Sequence, residues 1–321
     1  MTAPLGFGGA PLGNLFAPID EALARATLAA ARDCGLRHFD TAPFYGMGLS
    51  EQRLGAMLRE QPRETFTLST KVGRLLTPDA SAPREQHGYV NTLPMRVHYD
   101  YSREGALRSI DESLARLGLD RIDNVFIHDV GEDTHGAQWR AHYAQAIDGA
   151  ARALGDLKRA GVIRGWGLGV NRIEPCLAAL RDADPDCLLV AGRLSLLDDS
   201  ALAELLPACQ ARKVGVFIGG PFNSGLLAGG DTFDYQAAST DLVARRNRII
   251  VHCQRHGVDI KAAALQYCAA HPAVVGVLAG MRSPREVREN AAAMRAPIPA
   301  ALWLALAEEG LIPRDHPVSK A

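Results

Sequence analysis

Short apolar runs alternate with amphipathic stretches along the whole chain. Each run is rich in aliphatic or β-branched residues and is bounded by turn residues, a pattern typical of β-strands. The runs predict eight strands, at residues 5–9, 37–41, 65–71, 122–128, 165–170, 187–191, 214–219 and 274–279.

The stretches between the strands carry apolar residues at helical spacing. One stripe is formed by Leu107, Ile110, Leu114 and Leu117, and a second runs from residue 147 to residue 157. Alternation of strands and helices favours a parallel sheet covered on both faces, and eight repeats favour its closure into a (β/α)₈ TIM barrel. We expect residues 1–321 to form a single barrel domain. It would carry a long loop at 72–101 and a helical tail from 297.

Composition excludes several classes of protein. The chain is 47% hydrophobic and 22% charged with a net charge of −1, so no global field favours nucleic acid or an anionic membrane. The six cysteines lack metal-binding spacing, which indicates reduced thiols and no metal site. No signal peptide or spanning segment is evident, and a cytoplasmic location is expected. The pattern leaves oligomeric state open.

Polar side chains follow four of the predicted strands. Active sites of such barrels lie where the strands end, so these side chains are expected to meet at one mouth. Lysine favours the phenolate form of a nearby tyrosine, an acid would hold that lysine, and histidine can donate to a substrate oxygen. The set consists of Asp40, Tyr45, Lys71, His128, Asp129 and Asn171.

Each of these residues also has a structural interpretation. Lys71 could form a surface ion pair, His128 could be a structural histidine, and Asp40 could cap a turn. Their joint position at the ends of successive strands favours the functional interpretation.

Four ordered motifs carry a resemblance to a known family. Residues 39–46 read FDTAPFYG and are followed by Ser50-Glu51 and Leu54-Gly55, then by STK at 69–71 and IHD at 127–129. Together they resemble the aldo-keto reductase superfamily. The resemblance implies Tyr45 as the acid–base group, Lys71 and Asp40 as the residues that tune it, and His128 as the substrate-orienting group.

The resemblance also implies a nicotinamide cofactor. Gly8 and Gly9 would lie at the ribose and Asn171 at the carboxamide, and a glycine-rich loop would approach the pyrophosphate. Ser283 reads as a helix N-cap with Glu286 at the third helical position, a capping box at a helix end that favours anions. The remaining candidates are Gly219, Gly220, Pro221, Asn223, Ser224, Gly225, Gly280, Arg282 and Asn290.

The choice between NAD and NADP depends on the adenosine end. Many NADP-using members carry a lysine and an arginine where this chain has Gly280 and Glu286. A carboxylate there would repel a 2′-phosphate and accept from a free ribose hydroxyl. Three arginines nearby favour NADP instead: Arg282, Arg285 and Arg288. NAD is therefore the predicted cofactor, with NADP as the alternative.

The stretches around residues 71–76, 99–102 and 191–193 resemble the aldose 1-dehydrogenase branch. This implies oxidation of an aldose of the L-fucose, L-galactose or D-threo-aldose type at C1 to its lactone. Tyr89, Tyr99 and Tyr101 in the long loop are predicted to contact the sugar, or else to pack the loop onto the barrel. The alternatives are a pyridoxal 4-dehydrogenase, a general NADPH carbonyl reductase, and a catalytically idle nicotinamide-binding regulatory barrel.

Overall fold

A closed barrel of eight strands forms the centre of the fold in the computed structural model, which describes residues 4–320 and the side chains of 4–318. The strands neighbour one another in chain order, and the pairs with a described register run parallel. The predicted (β/α)₈ fold is confirmed. The strands are β1 (Leu5–Gly8), β2 (His38–Asp40), β3 (Thr67–Val72), β4 (Asn124–His128), β5 (Gly165–Val170), β6 (Cys187–Ala191), β7 (Gly215–Gly219) and β8 (Val274–Gly280).

Helices occupy the segments between the strands, as the apolar periodicity predicts. Ile110 and Leu117 of the first predicted stripe are buried, and the predicted tail contains a helix. The α-helices span Glu21–Asp33, Leu49–Leu58, Arg103–Leu117, Glu132–His135, Trp139–Gln145, Arg152–Arg159, Glu174–Asp182, Leu205–Arg212, Thr240–Arg255, Ile260–Ala269, Pro284–Ala293 and Ala300–Glu308. A π-helical turn, Ala146–Ala151, continues the fifth of these into the sixth, and 3₁₀ turns lie at Ala10–Gly13, Arg63–Thr65, Gly136–Gln138, Ser200–Leu202, Asn223–Ala228 and Pro317–Lys320.

The internal contacts of the chain divide it into two compact units. One comprises residues 6–189 and 280–288. The other comprises, within the described residues, 4–5, 190–279 and 289–320. The single-domain organisation stays a prediction.

The predicted long loop has secondary structure of its own. Strand Arg74–Pro78 pairs antiparallel with strand Met95–Tyr99, and a smaller hairpin pairs Glu85–Gln86 with Tyr89–Val90. Gly73 begins the insertion with φ +98°, and a side chain there would collide with the ring of Tyr101. The backbone N–H of Asp100 donates to the Gly73 carbonyl at 3.1 Å and closes the base of the hairpin.

Candidate active site

Lys71 links the acid and the tyrosine that the sequence motifs single out. Its Nζ donates to Asp40 Oδ2 at 2.7 Å, to the Thr41 carbonyl at 2.9 Å and to Tyr45 Oη at 3.0 Å. The three N–H bonds of the ammonium are thereby all used. Because Lys71 is only 2% exposed, its charge acts at short range on Tyr45 Oη with little screening by water.

The acid is held from its other side as well. Ser69 Oγ donates to Asp40 Oδ1 at 2.7 Å, and His38 Nε2 lies 3.2 Å from the same hydroxyl. Burial lowers the pKa of His38 to about 4, so its imidazole is neutral at physiological pH. The alternation of side chains along β2 puts His38 and Asp40 on the same face of the strand. Asp40 is therefore fixed by partners at both oxygens.

Close packing beneath the loop fixes the position of Tyr45. Ser50 Oγ donates to the Gly9 carbonyl at 2.8 Å and lies 2.9 Å from Thr41 Oγ1. A Cβ on Gly13 would come within 2.5 Å of the Tyr45 carbonyl carbon, so only glycine allows this approach. The phenol is consequently held by backbone packing as well as by Lys71.

His128 ends β4 and lies against the ring of Tyr45. Its ring lies 5.9 Å from the ring of Tyr45 and 5.9 Å from that of Phe44, edge-on to both. Burial, followed by the charges of Arg74 and Lys71, holds the pKa of His128 well below its usual value. The imidazole is therefore neutral, and it can donate one hydrogen bond without competing for the proton of Tyr45.

An ion pair beside His128 was not predicted. Arg74 Nη2 bonds Asp129 Oδ2 at 2.6 Å, and both side chains are largely buried. The guanidinium lies 4.0 Å from the centre of the Phe44 ring. The sequence places Asp129 at the end of a predicted strand, whereas Arg74 falls within the stretch 71–76 that carries only the family resemblance. The available signal was an arginine three residues after Lys71 at the start of an apolar run.

The structure corrects one of the three predicted sugar contacts. Tyr101 is fully buried, and its hydroxyl donates to the His128 carbonyl at 2.9 Å, so it packs beneath the insertion and is not accessible to a sugar. The ring of Tyr89 is stacked on that of Tyr45 at 6.1 Å and only 4% of the residue is exposed. Tyr99 is 43% exposed, and its contact with substrate stays a prediction.

Several predicted cofactor residues lie in the same unit as these side chains. Asn171 follows β5, and its Nδ2 donates to Asp129 Oδ1 at 3.2 Å and to Asp133 Oδ2 at 3.3 Å. Gly8 and Gly9 lie at the end of β1, where a Cβ on Gly9 would come within 2.6 Å of the Asp40 carbonyl oxygen. Packing against Asp40 is therefore a sufficient reason for a glycine at position 9, whether or not a cofactor lies there.

The N-cap predicted at Ser283 is present, but the second bond of the predicted capping box goes from Glu286 to the N–H of Arg282 and not to that of Ser283. The N–H of Glu286 donates to Ser283 Oγ at 3.2 Å, and the Glu286 carboxylate accepts the N–H of Arg282 at 2.8 Å. The Arg282 side chain donates to the Ala17 carbonyl at 2.8 Å, so it is engaged within the protein. Gly280 ends β8, and a Cβ there would meet Pro11 at 3.0 Å. The helix N-terminus is thus stabilised by its own side chains.

The remaining candidates belong to the second unit. The loop after β7 has left-handed backbone at Gly220, Asn223, Ser224 and Gly225. Asn223 Nδ2 donates to the Gly192 carbonyl at 3.3 Å, whereas its buried Oδ1 has no partner within residues 4–318. An orphaned buried acceptor in such a loop fits a hydrogen-bond donor from a bound molecule. The other members of this set are Gly219 and Pro221, both buried, and Asn290, buried in helix Pro284–Ala293.

Within the described residues, no group of three or more His, Cys, Asp or Glu side chains could hold a metal ion. No helix in that part of the chain is long and apolar enough to cross a membrane.

Comparison with known proteins identifies several relatives. Residues 4–308 match the model of the aldo/keto reductase family. The chain is 44% identical to a pyridoxal 4-dehydrogenase from Microbacterium luteolum, covering 96% of this chain and 94% of that protein. It is 39% identical to a D-threo-aldose 1-dehydrogenase from Pseudomonas sp with the same coverage. An aldo-keto reductase structure from Bacillus halodurans, in its holo form, matches with a TM-score of 0.73 and 26% identity over 94% of this chain and 89% of that one.

Proposed function

Because the chain belongs to the aldo/keto reductase family, we propose that it oxidises the C1 hydroxyl of an aldose to a lactone, with NAD as cofactor. The observation that carries the proposal is the contact of 3.0 Å between Lys71 Nζ and Tyr45 Oη. A phenol that receives a hydrogen bond from a buried ammonium is stabilised as phenolate, the form that can take a proton from an alcohol.

The side chains divide the work on the substrate hydroxyl. Tyr45 Oη accepts the hydroxyl proton as the C1–O bond becomes a carbonyl. His128, neutral and beside the phenol, donates a hydrogen bond to the same oxygen and orients it. Asp40 balances the charge of Lys71, so that the ammonium stays in place through the reaction.

The residues present fit a nicotinamide cofactor. Asn171 would hold the carboxamide, and the N-terminus of helix Pro284–Ala293 would receive an anionic group of the adenosine end. A bound nicotinamide supplies the acceptor for the C1 hydride. The carboxylate of Glu286 favours NAD over NADP because it would repel a 2′-phosphate.

A second candidate function rests on the comparisons. The relative named as a pyridoxal 4-dehydrogenase is 44% identical to this chain, against 39% for the one named as an aldose dehydrogenase. Pyridoxal closes to an internal hemiacetal, and oxidation of that carbon also gives a lactone. The same acid–base pair of Tyr45 and Lys71 therefore suits either substrate.

A substrate panel tests the proposal. Purified protein is incubated with NAD or NADP and L-fucose, L-galactose, D-glucose or pyridoxal, and the reduced cofactor and the lactone are measured. Reduction of simple aldehydes by NADPH is assayed beside them. We expect the highest kcat/KM for L-fucose- or L-galactose-like sugars and weak activity on D-glucose, since a site that bonds specific hydroxyls rejects epimers.

Each other outcome of the panel would indicate a different function for this protein. If pyridoxal exceeds every sugar, the second candidate replaces the first. If aldehyde reduction by NADPH dominates, the protein is a general carbonyl reductase. Nicotinamide binding without turnover of any substrate would indicate the idle regulatory barrel.

A further inference from the structure

Asp129 lies between two groups of the proposed mechanism. Its Oδ2 is 3.4 Å from His128 Nε2, and its Oδ1 accepts from Asn171 at 3.2 Å. The backbone of Asp129 has φ +45°, a conformation that costs free energy for a residue with a side chain. Its N–H donates to the Gly169 carbonyl at 2.9 Å, and this contact helps to hold the conformation.

We propose that Asp129 is a positioning residue that keeps the imidazole proton of His128 on Nε2. Arg74, which bonds Asp129 Oδ2 at 2.6 Å, holds the carboxylate in place for this task. The inference deepens the proposed function, because Nε2–H is then the donor that His128 offers to the substrate oxygen.

The two nitrogens of His128 have different surroundings. Nδ1 is buried and has no hydrogen-bond partner in the described part of the chain, whereas Nε2 faces a carboxylate oxygen. A neutral imidazole carries one proton. That proton is more stable on the nitrogen next to a negative charge than as an unpaired buried N–H at Nδ1. Asp129 thus selects one tautomer.

Arg74 limits how far this carboxylate can stabilise a protonated His128. The charged groups that face the imidazole are Lys71 and Arg74 on the positive side and Asp129 on the negative side. The other neighbours are the rings of Tyr45 and Phe44. Burial and the two cations keep the pKa of His128 low, so removal of Arg74 would leave Asp129 free to stabilise an imidazolium.

The carboxylate also sets the orientation of Asn171. The Nδ2 of Asn171 donates to Asp129 Oδ1 and to Asp133 Oδ2, which uses both of its N–H bonds. Its Oδ1 is thereby turned away from the two acids and is presented as an acceptor. A donor such as a carboxamide N–H matches it.

Nuclear magnetic resonance of the cofactor-free protein tests the tautomer directly. The ten histidines are labelled with ¹⁵N, and His128 is assigned by comparison with His128→Gln. We expect the wild-type ring to be neutral at pH 7 with its proton on Nε2. A proton on Nδ1, or an imidazolium at pH 7, would overturn the proposal. Because no turnover is measured, failure of the aldose assay leaves this result interpretable.

Variants test the roles of the pair. Arg74→Met should raise the titration midpoint of His128 by about one pH unit or more. Arg74→Lys keeps the positive charge, so its midpoint should stay close to that of wild type. Asp129→Asn should abolish the preference for Nε2–H and weaken NAD binding about tenfold, which is the effect of one lost hydrogen bond to a charged group. Arg96→Met is the matched control, because it removes an exposed ion pair with Asp79 in the same hairpin. An unchanged titration in Arg74→Met, or an unchanged tautomer in Asp129→Asn, contradicts the proposal.

Discussion

The hydroxyl of Tyr101 donates to the backbone carbonyl of His128 at 2.9 Å. It also lies 3.3 Å from the Asp129 carbonyl and 2.9 Å from His135 Nε2. A residue at the end of the insertion therefore fixes the backbone at the end of β4, where His128 lies.

Tyr101→Phe should destabilise the protein by about 1–3 kcal/mol, because it leaves buried carbonyls without their donor. Turnover should also fall as His128 loses its support. Urea unfolding and steady-state kinetics measure both effects. Tyr99→Phe is the matched control: this tyrosine is exposed, so stability should stay within about 0.5 kcal/mol of wild type. Equal stability of the two variants would contradict the anchoring role.

Tyr45→Phe removes the proposed acid–base group and keeps the ring. We expect turnover to fall by about 10²–10⁴-fold with the affinity for NAD nearly unchanged. Single-turnover kinetics and a binding titration separate the two quantities. Turnover within tenfold of wild type would exclude Tyr45 as the acid–base group.

Lys71→Met removes the ammonium that contacts Tyr45 Oη. The phenolate is then less favoured, so the rising limb of the pH–rate profile for oxidation should move to higher pH. Asp40→Asn should move the same limb less, because it retains the ammonium. If Lys71→Met lowers the rate at every pH without moving the limb, Lys71 is structural.

Glu286 has two roles that substitution can separate. Glu286→Gln removes the charge while its side-chain oxygen can still accept the N–H of Arg282. We expect it to improve kcat/KM with NADP relative to NAD, and Glu286→Arg to improve it further, by no more than a few kcal/mol in activation free energy. Thermal unfolding controls for damage to the helix cap. A wild-type preference for NADP would contradict the role assigned to the carboxylate.

The burial of His316 should make the protein less stable in mild acid. Its ring is stacked on Tyr267 at 3.9 Å, and burial lowers the pKa of His316 to about 4. Between pH 6.5 and 4 the unfolded chain binds this proton and the folded chain does not, so the free energy of unfolding falls as pH falls. His316→Phe should reduce the loss between pH 7 and 5 by up to about 2 kcal/mol in urea titrations. The same loss in both proteins would contradict this origin.

The sequence predicted the groups that strand order brings together. Asp40, Lys71 and His128 end strands of one barrel, so the rule that strand ends share a mouth was enough to group them. The cap at Ser283 followed from local spacing, which also needs no tertiary information.

The features of the site that the sequence did not predict depend on how the insertion at residues 72–101 folds. Arg74 begins a hairpin and bonds Asp129, and apolar periodicity does not predict which residues a hairpin contacts. The sequence left two roles open for Tyr101, contact with substrate or packing of the loop onto the barrel, for a similar reason. A tyrosine in a polar loop has the same sequence signature whether its ring is buried or exposed, and here burial decided the outcome.

The closed base of the hairpin has a consequence for how this protein could diversify. The insertion leaves at Gly73 and returns at Asp100, and the two positions are joined by a hydrogen bond of 3.1 Å. The paired strands from Arg74 to Pro78 and from Met95 to Tyr99 form a stalk above that bond. Changes in the tip between residues 79 and 94 can therefore be made without displacing Lys71, except at Tyr89, whose ring is stacked on that of Tyr45. Away from Tyr89, the tip could then vary in sequence while the contact between Lys71 and Tyr45 is kept.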